Sequence, residues 1–188
     1  DVSFWKSEVE TSGAIGLPLP GKSAEESGVS LTAGLRAGAI YPLNGKATRI
    51  NDRFQLGGPT DVRGFTMGGL GPRDGPDALG GDVFAAGSVN LLMPFPRCSA
   101  ETPLRFQIFA NGGRLLGLRR KDGESATSAF YRTIGKLGDG LPSTSVGFGI
   151  VYAHPVARFE VNFGVPLVKR QGEEARKGVQ FGVGINFM

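Results

Sequence analysis

Apolar and polar positions alternate with a period of two along most of the chain. Phe181, Val183, Ile185 and Phe187 alternate with Gln180, Gly182, Gly184 and Asn186, and Phe159, Val161, Phe163 and Val165 with Arg158, Glu160, Asn162 and Gly164. The same rhythm runs through 146–152, 105–108 and 31–39. Alternation of this kind gives a strand one apolar and one polar face. Seven strands are predicted, over 2–16, 29–41, 83–93, 104–113, 144–153, 157–166 and 179–187. Pro18, Pro42, Pro94, Pro155 and Pro166 fall at or beyond their ends, where a missing N–H does not interrupt a ladder.

Two connections are long. Residues 43–82 are rich in glycine, and a loop of that length without elements of its own is usually functional. Residues 114–143 hold one helix candidate, 128–137, with a hydroxyl start, Phe130, Ile134 and Leu137 on one face, and Gly138 as its stop. The apolar strand faces could meet in a soluble sandwich or face lipid in a membrane wall. The opposite face, with Arg36, Arg105, Arg158, Glu160 and many glycines, suits a polar lumen and favours the wall; alternation by itself admits both.

Composition narrows the field. Glycine is 31 of 188 residues and proline 12, which excludes a helical bundle; with no three-residue glycine period, collagen is excluded too. One cysteine, Cys98, and one histidine, His154, leave no intramolecular disulfide and no Cys/His zinc site, and a catalytic triad would have to use that single imidazole. No run approaches the roughly 18–20 apolar residues of a membrane helix, although strands cross with about half as many. Cys98 and His154 both sit in proline-containing turns and are read as turn residues. The net charge of +4 is dispersed over loops and strand faces without a basic helix, so no nucleic-acid partner is expected.

One tempting motif fails on chemistry. Gly16 to Ser23 fits G-x-x-x-x-G-K-S, but Pro18 and Pro20 have no N–H to offer a phosphate, and Glu25 and Glu26 would repel it. It is read as a loop joining two strands. A second motif carries more. In Val62-Arg63-Gly64-Phe65, two large apolar groups flank an arginine inside a glycine-rich loop, a poor arrangement in water. A loop folded back into a cavity explains it, with the apolar groups wedged and the guanidinium in a bidentate pair with an acid.

These four residues, preceded by Leu56-Gly57-Gly58-Pro59-Thr60 and followed by the Leu79-Gly80-Gly81-Asp82 exit and five strands, resemble the signature loop of the barrel-assembly superfamily of outer-membrane proteins. The chain is most similar in kind to the superfamily's mitochondrial branch, the central barrel subunits of sorting and assembly machineries. That resemblance implies an all-β, antiparallel transmembrane β-barrel of sixteen strands in the mitochondrial outer membrane, crossing it many times. Residues 1–188 would be its last seven strands, without the earlier strands and the N-terminal soluble domain. Seven strands are too few to close alone.

The implied activity is insertion of β-barrel precursors through a lateral seam, by strand pairing without covalent chemistry. Partners would be the precursors, two peripheral cytosolic subunits and membrane lipid, with loops 43–82 and 114–143 on the cytosolic side. Gln180, Gly182, Ile185 and Phe187 also fit the terminal signal of mitochondrial barrels, and Gly182 and Gly184 would make the last strand a thin, deformable edge. Arg63 is expected to face the lumen and pair with Glu160, the sole acid on the polar face of the last five strands. The superfamily often has an acid where this chain reads Asn111-Gly112-Gly113. A passive porin-like channel is the alternative, and a soluble sandwich the third possibility.

Overall fold

A computed structural model describes residues 3–44, 46–95, 102–121, 123–154 and 157–185. Its elements run β1 (Phe4–Leu17), α1 (Ala24–Ser27), β2 (Val29–Pro42), β3 (Arg73–Asp74), β4 (Asp77–Ala78), β5 (Val83–Pro94), β6 (Leu104–Leu116), α2 (Ala126–Gly135), β7 (Ser143–Ala153), β8 (Ala157–Val168) and β9 (Gly178–Ile185). Seven strands form one antiparallel sheet in the order β1-β2-β5-β6-β7-β8-β9, and β3 with β4 form a separate hairpin. The large sheet is open in this chain, with β1 and β9 as its edges.

The pleat sorts the side chains as the alternation predicts. One face presents Arg36, Gln107, Asn111, Ser145, Glu160, Asn162 and Gln180. The other presents Trp5, Val9, Leu35, Val89, Ile108, Phe148, Val161 and Phe181, each between 46% and 65% exposed. A sandwich would bury that second face under another sheet, and among the described residues the only other sheet is the two-residue hairpin. No helix is long and apolar enough to cross a membrane, which says nothing of strands.

The polar face is covered instead, by the 43–82 connection. Phe54, Leu56, Val62, Phe65 and Leu70 from the loop pack with Ile40, Phe84 and Leu115 from the strands into one buried cluster. Each buried side chain of this size contributes about 2 kcal/mol. Apolar burial therefore holds the loop down, and its polar contacts decide where it sits.

Several boundaries differ from expectation. The 43–82 connection has elements of its own, a 3-10 turn at Ile50–Asp52 and the β3–β4 hairpin, which turns through Gly75 at φ 57°. The strand expected to end at 113 runs to Leu116, because Leu115 enters the loop's apolar cluster. Pro166 does not end β8. The ladder shifts register beside it, between Thr144 and Ser145, and the strand continues to Val168. Residues 24–27, expected as loop, make one helical turn: Ser23 and Glu26 form a reciprocal capping box, and Gly28 closes it at φ 62°. The expected helix at 128–137 begins two residues earlier and tightens into a 3-10 turn at Lys136–Gly138.

α2 packs at the rim of the bare apolar face. Tyr41 on β2 contacts Phe130 edge-to-face at 5.3 Å and hydrogen-bonds the Thr127 hydroxyl at 2.9 Å. Ile134 and Leu137 line a hollow with Trp5, Val9 and Val83, so Val83 is buried while Ala39, Ala85 and Leu116 beside it on that face are half-buried.

Candidate functional site

The site is where the loop tip meets the inner faces of β6, β7, β8 and β9. Arg63 is 6% exposed and Glu160 5% exposed. Arg63 donates from Nε (3.1 Å) and Nη2 (2.9 Å) to Glu160 Oε2, and from Nη1 to Asn90 Oδ1 at 3.1 Å. The contact is not the bidentate fork expected from sequence. Both donors converge on one carboxylate oxygen, because Arg158 from the same strand lies 2.6 Å from the other, Oε1. Asn162 (2.9 Å) and Gln107 (3.3 Å) also donate to Oε2. The guanidinium lies over the Phe109 ring, 4.9 Å from its centroid. Glu160 is thus a buried anion saturated by donors, the condition under which a buried charge is tolerated.

The backbone of the motif is held as tightly as its side chain. Gln180, reaching in from β9, accepts from Gly64 N–H at 2.7 Å and donates to Phe65 C=O at 2.9 Å, so one amide closes two hydrogen bonds with the loop. Ser145 donates to Arg63 C=O. Asn111, with its amide turned to satisfy its neighbours, accepts from Arg63 N–H at 3.1 Å and donates to Arg63 C=O at 3.3 Å. Gly64 has φ 83°, and a Cβ there would lie 2.8 Å from Ser145 Cβ. Only glycine fits that position. On the far side, Arg176 N–H donates to Gly64 C=O at 2.9 Å.

The tip has a second ionic anchor of opposite polarity. Asp61 accepts from Arg36 on β2 at 3.1 Å, and its other oxygen accepts from Gly57 N–H at 2.9 Å. A loop cation meets a wall anion on β8, and a loop anion meets a wall cation on β2. Further back, Glu173 accepts from Gly71 N–H (3.4 Å), Arg170 N–H (3.1 Å) and the Ser143 hydroxyl. Asp82 ties the loop exit to Leu118 N–H at 2.7 Å and to the Thr48 hydroxyl.

Sequence reasoning named Val62, Arg63, Gly64, Phe65 and Glu160, and the fold brings these together, with Val62 and Phe65 fully buried. It missed Asp61–Arg36, Asn90, Gln107, Ser145 and Asn162, and noted Asn111 only as the place of an expected acid; the strand residues carried one signal, their place on the polar side, and Asp61, in the loop, carried none. The edge residues divide. Gln180 points inward and clasps the loop. Gly182 is buried beneath the loop tip, where a Cβ would meet Thr60 Cγ2 at 3.0 Å and Pro59 Cβ at 3.3 Å, while Gly184 has nothing within 4 Å. Ile185 pairs with Ala157 in the ladder, and Phe187 lies outside the described residues, as does Cys98. His154 donates its N–H to Ala157 C=O at 3.0 Å in the expected turn. Among the described residues, no group of His, Cys, Asp and Glu side chains is placed to hold a metal.

The sequence profile of the Omp85 superfamily domain matches residues 1–187. The SAM50-like protein of Schizosaccharomyces pombe is 41% identical over all of this chain and 37% of its own length. The sorting assembly machinery 50 kDa subunit of Saccharomyces cerevisiae is 37% identical over 85% of this chain and 32% of its own. The sorting and assembly machinery component 50 homolog of Homo sapiens is 36% identical over the whole chain and 38% of its own. The chain therefore spans about a third of the length of these relatives. Among solved structures, BamA from Haemophilus ducreyi lacking POTRA domains 1–3 superposes with a TM-score of 0.72, covering 96% of this chain and 35% of that one at 20% identity, a likeness of fold.

Proposed function

The chain belongs to the Omp85 superfamily, and from that premise we propose that it is the C-terminal part of the wall of a transmembrane β-barrel that assembles β-barrel precursors in the mitochondrial outer membrane. The observation that carries this reading is the division of the sheet into two faces. One is bare and apolar, as a lipid-facing wall requires; the other is polar and occupied by a loop anchored at both flanks through Arg63–Glu160 and Arg36–Asp61. The names of the relatives, sorting and assembly machinery components, supply the assembly role. A passive porin-like channel would share the alternation but has no need of the Val62–Phe65 motif and the contacts that hold it.

The mechanism proposed is strand exchange at a seam, in a barrel of sixteen strands that this chain only partly builds. β9 pairs with β8 on one side and is an edge on the other, so a precursor strand can add there through backbone hydrogen bonds. Because Gln180 and Gly182 hold the loop tip, pairing at that edge and seating of the loop are coupled through one strand. No catalytic group or cofactor takes part. Precursors, lipid and two peripheral cytosolic subunits are the proposed partners. The subunits would meet the loop-bearing end, where Met67, Leu43, Tyr131 and Leu141 are exposed.

The test uses the intact protein in its membrane, with Cys98→Ser and Val183→Cys, and a precursor carrying one cysteine in its own last strand, arrested during import. A disulfide that forms only in one register supports the receiving-edge role of β9. Intact import with no cross-link at Val183 or its neighbours would make β9 a wall strand and move the seam elsewhere.

A further inference from the structure

On the bare face the register lines up a patch of small residues. Ala37 on β2 stands beside Ala85 on β5, and Gly87 on β5 stands beside Gly112 on β6. These four residues carry nothing beyond Cβ, so the wall is thin there; Leu35 leans over Gly87 and Thr144 over Gly112, and an open depression of about 580 Å³ remains beside them. Leu35 and Val9 border it on the sheet, while Leu137, Gly140 and Pro142 form a lip across its loop end.

Arg114 also lines the depression, next to Ala85 on the same face. It is 8% exposed, and its Nη1 donates to the carbonyls of Leu137 (3.1 Å) and Asp139. Its Nε has no hydrogen-bond partner, and among the described residues Arg114 takes part in no ion pair. This buried guanidinium is held directly by neutral carbonyls, with one donor idle; Arg170 lies near it, and the carboxylates of Asp139 and Glu173 act on it only from beyond ion-pair distance, so no anion is in contact with it. Arg170 grips the same lip from the other side, donating to Asp139 C=O at 3.1 Å and Leu141 C=O at 2.8 Å, and its Nε is likewise unmatched.

Resting on the membrane-wall reading above, we propose that this face holds a seat for one anionic bilayer phospholipid. An acyl chain lies in the small-residue depression, and the phosphate accepts hydrogen bonds from Arg114 at its loop end. Arg114 sits among the last residues of β6 toward the loops, the headgroup level of a spanning wall, and the depression leads from it toward the strand centres. The planar donors of arginine match a phosphate. In hydrocarbon, water does not fill an apolar hollow, and a flexible chain regains the contacts its lining lacks. A partner's transmembrane helix also favours small residues. A cylinder about 10 Å wide, however, would have to run out past the lip at 137–142, whereas a lipid ends there.

The test is labelling of the intact protein in nanodiscs of phosphatidylcholine containing a trace of phosphatidylglycerol with a photoactivatable acyl chain, with adducts mapped by mass spectrometry. Adducts should concentrate on 83–94 and 104–116. Ala85→Leu fills the hollow and should lower them about tenfold relative to adducts on 143–153, which stay unchanged; Ala37→Leu fills it from the other side and serves if the first variant assembles poorly. Arg114→Gln should reduce the preference for phosphatidylglycerol over phosphatidylcholine about tenfold, the loss of one charge-assisted hydrogen bond. Even labelling along the apolar face, or labelling indifferent to these changes, overturns the seat and leaves the wall intact. Cross-linking of a photoreactive residue at Ala37 to another protein rather than to lipid also overturns it. If the protein stays in the aqueous phase and takes no label anywhere, the wall reading itself has failed.

Discussion

Glu160 is the anion around which the loop site is built, and its surroundings decide what substitution does. Removing Arg63 leaves a buried carboxylate with fewer donors and an idle Asn90 oxygen, whereas the attraction itself is partly offset by desolvation. Arg63→Ala is therefore expected to destabilise the folded protein by about 3–5 kcal/mol, read as the shift in denaturant midpoint of the intact protein in micelles. Arg63→Lys keeps the charge but cannot serve Glu160 and Asn90 from fixed positions, and should fall in between. If Arg63→Glu and Glu160→Arg are each defective and the double variant regains nothing, the pair is not what places the loop. Backbone geometry gives a second test at this scale. Gly64→Ala forces a Cβ into Ser145 at positive φ and should cost at least about 1–2 kcal/mol, while Gly184→Ala, with open space around it, should be near neutral.

Among the elements, the loop and α2 depend on different forces. Apolar burial keeps the loop on the sheet, and Gly182 leaves the room its tip occupies. Gly182→Leu should lift Pro59 and Thr60 away and speed protease cleavage within 56–70, while β8 and β9 still pair. α2 is fixed from its start by Glu124, which accepts from Arg132 at 2.9 and 2.8 Å and from Lys121 N–H at 3.0 Å. The Arg132 side chain first, and then the Lys121 N–H, lower the Glu124 carboxyl to about 2. A folded value below the unfolded one means the contribution is complete above about pH 4.5 and is lost as pH falls toward 2. Hydrogen-exchange protection of Ala126–Gly135 should hold from neutral pH to about 5 and decline below it. Glu124→Gln should show the lowered protection already at neutral pH.

At the scale of the whole molecule, the sheet is one wall with two chemically opposite sides. In the proposed wall, a charge placed on the bare side would meet lipid. Phe148→Arg is expected to cost about 2–4 kcal/mol for a position near the bilayer centre, measured by unfolding of the intact protein from vesicles. If the same change leaves stability untouched, the face does not lie in hydrocarbon. The open edges at β1 and β9 fit a chain covering about a third of its relatives, since closure needs strands from elsewhere.

The amino-acid sequence by itself determined the seven strands of the large sheet and which residues share a face, because a two-residue period is set by the backbone and needs no knowledge of neighbours. It also pointed Arg63 toward Glu160, since the polar faces of the last five strands offer no other acid. What it could not place was anything requiring two distant segments at a known height. Gln180 meets Gly64 across 116 residues, Ser145 meets Arg63 across 82, and Asp61 meets Arg36 only because the loop crosses to β2. Those contacts are fixed by inter-strand register, by the register shift beside Pro166 and by the path of a loop whose apolar residues must be buried. Each of these is a property of the assembled sheet, so only the tertiary structure decided them.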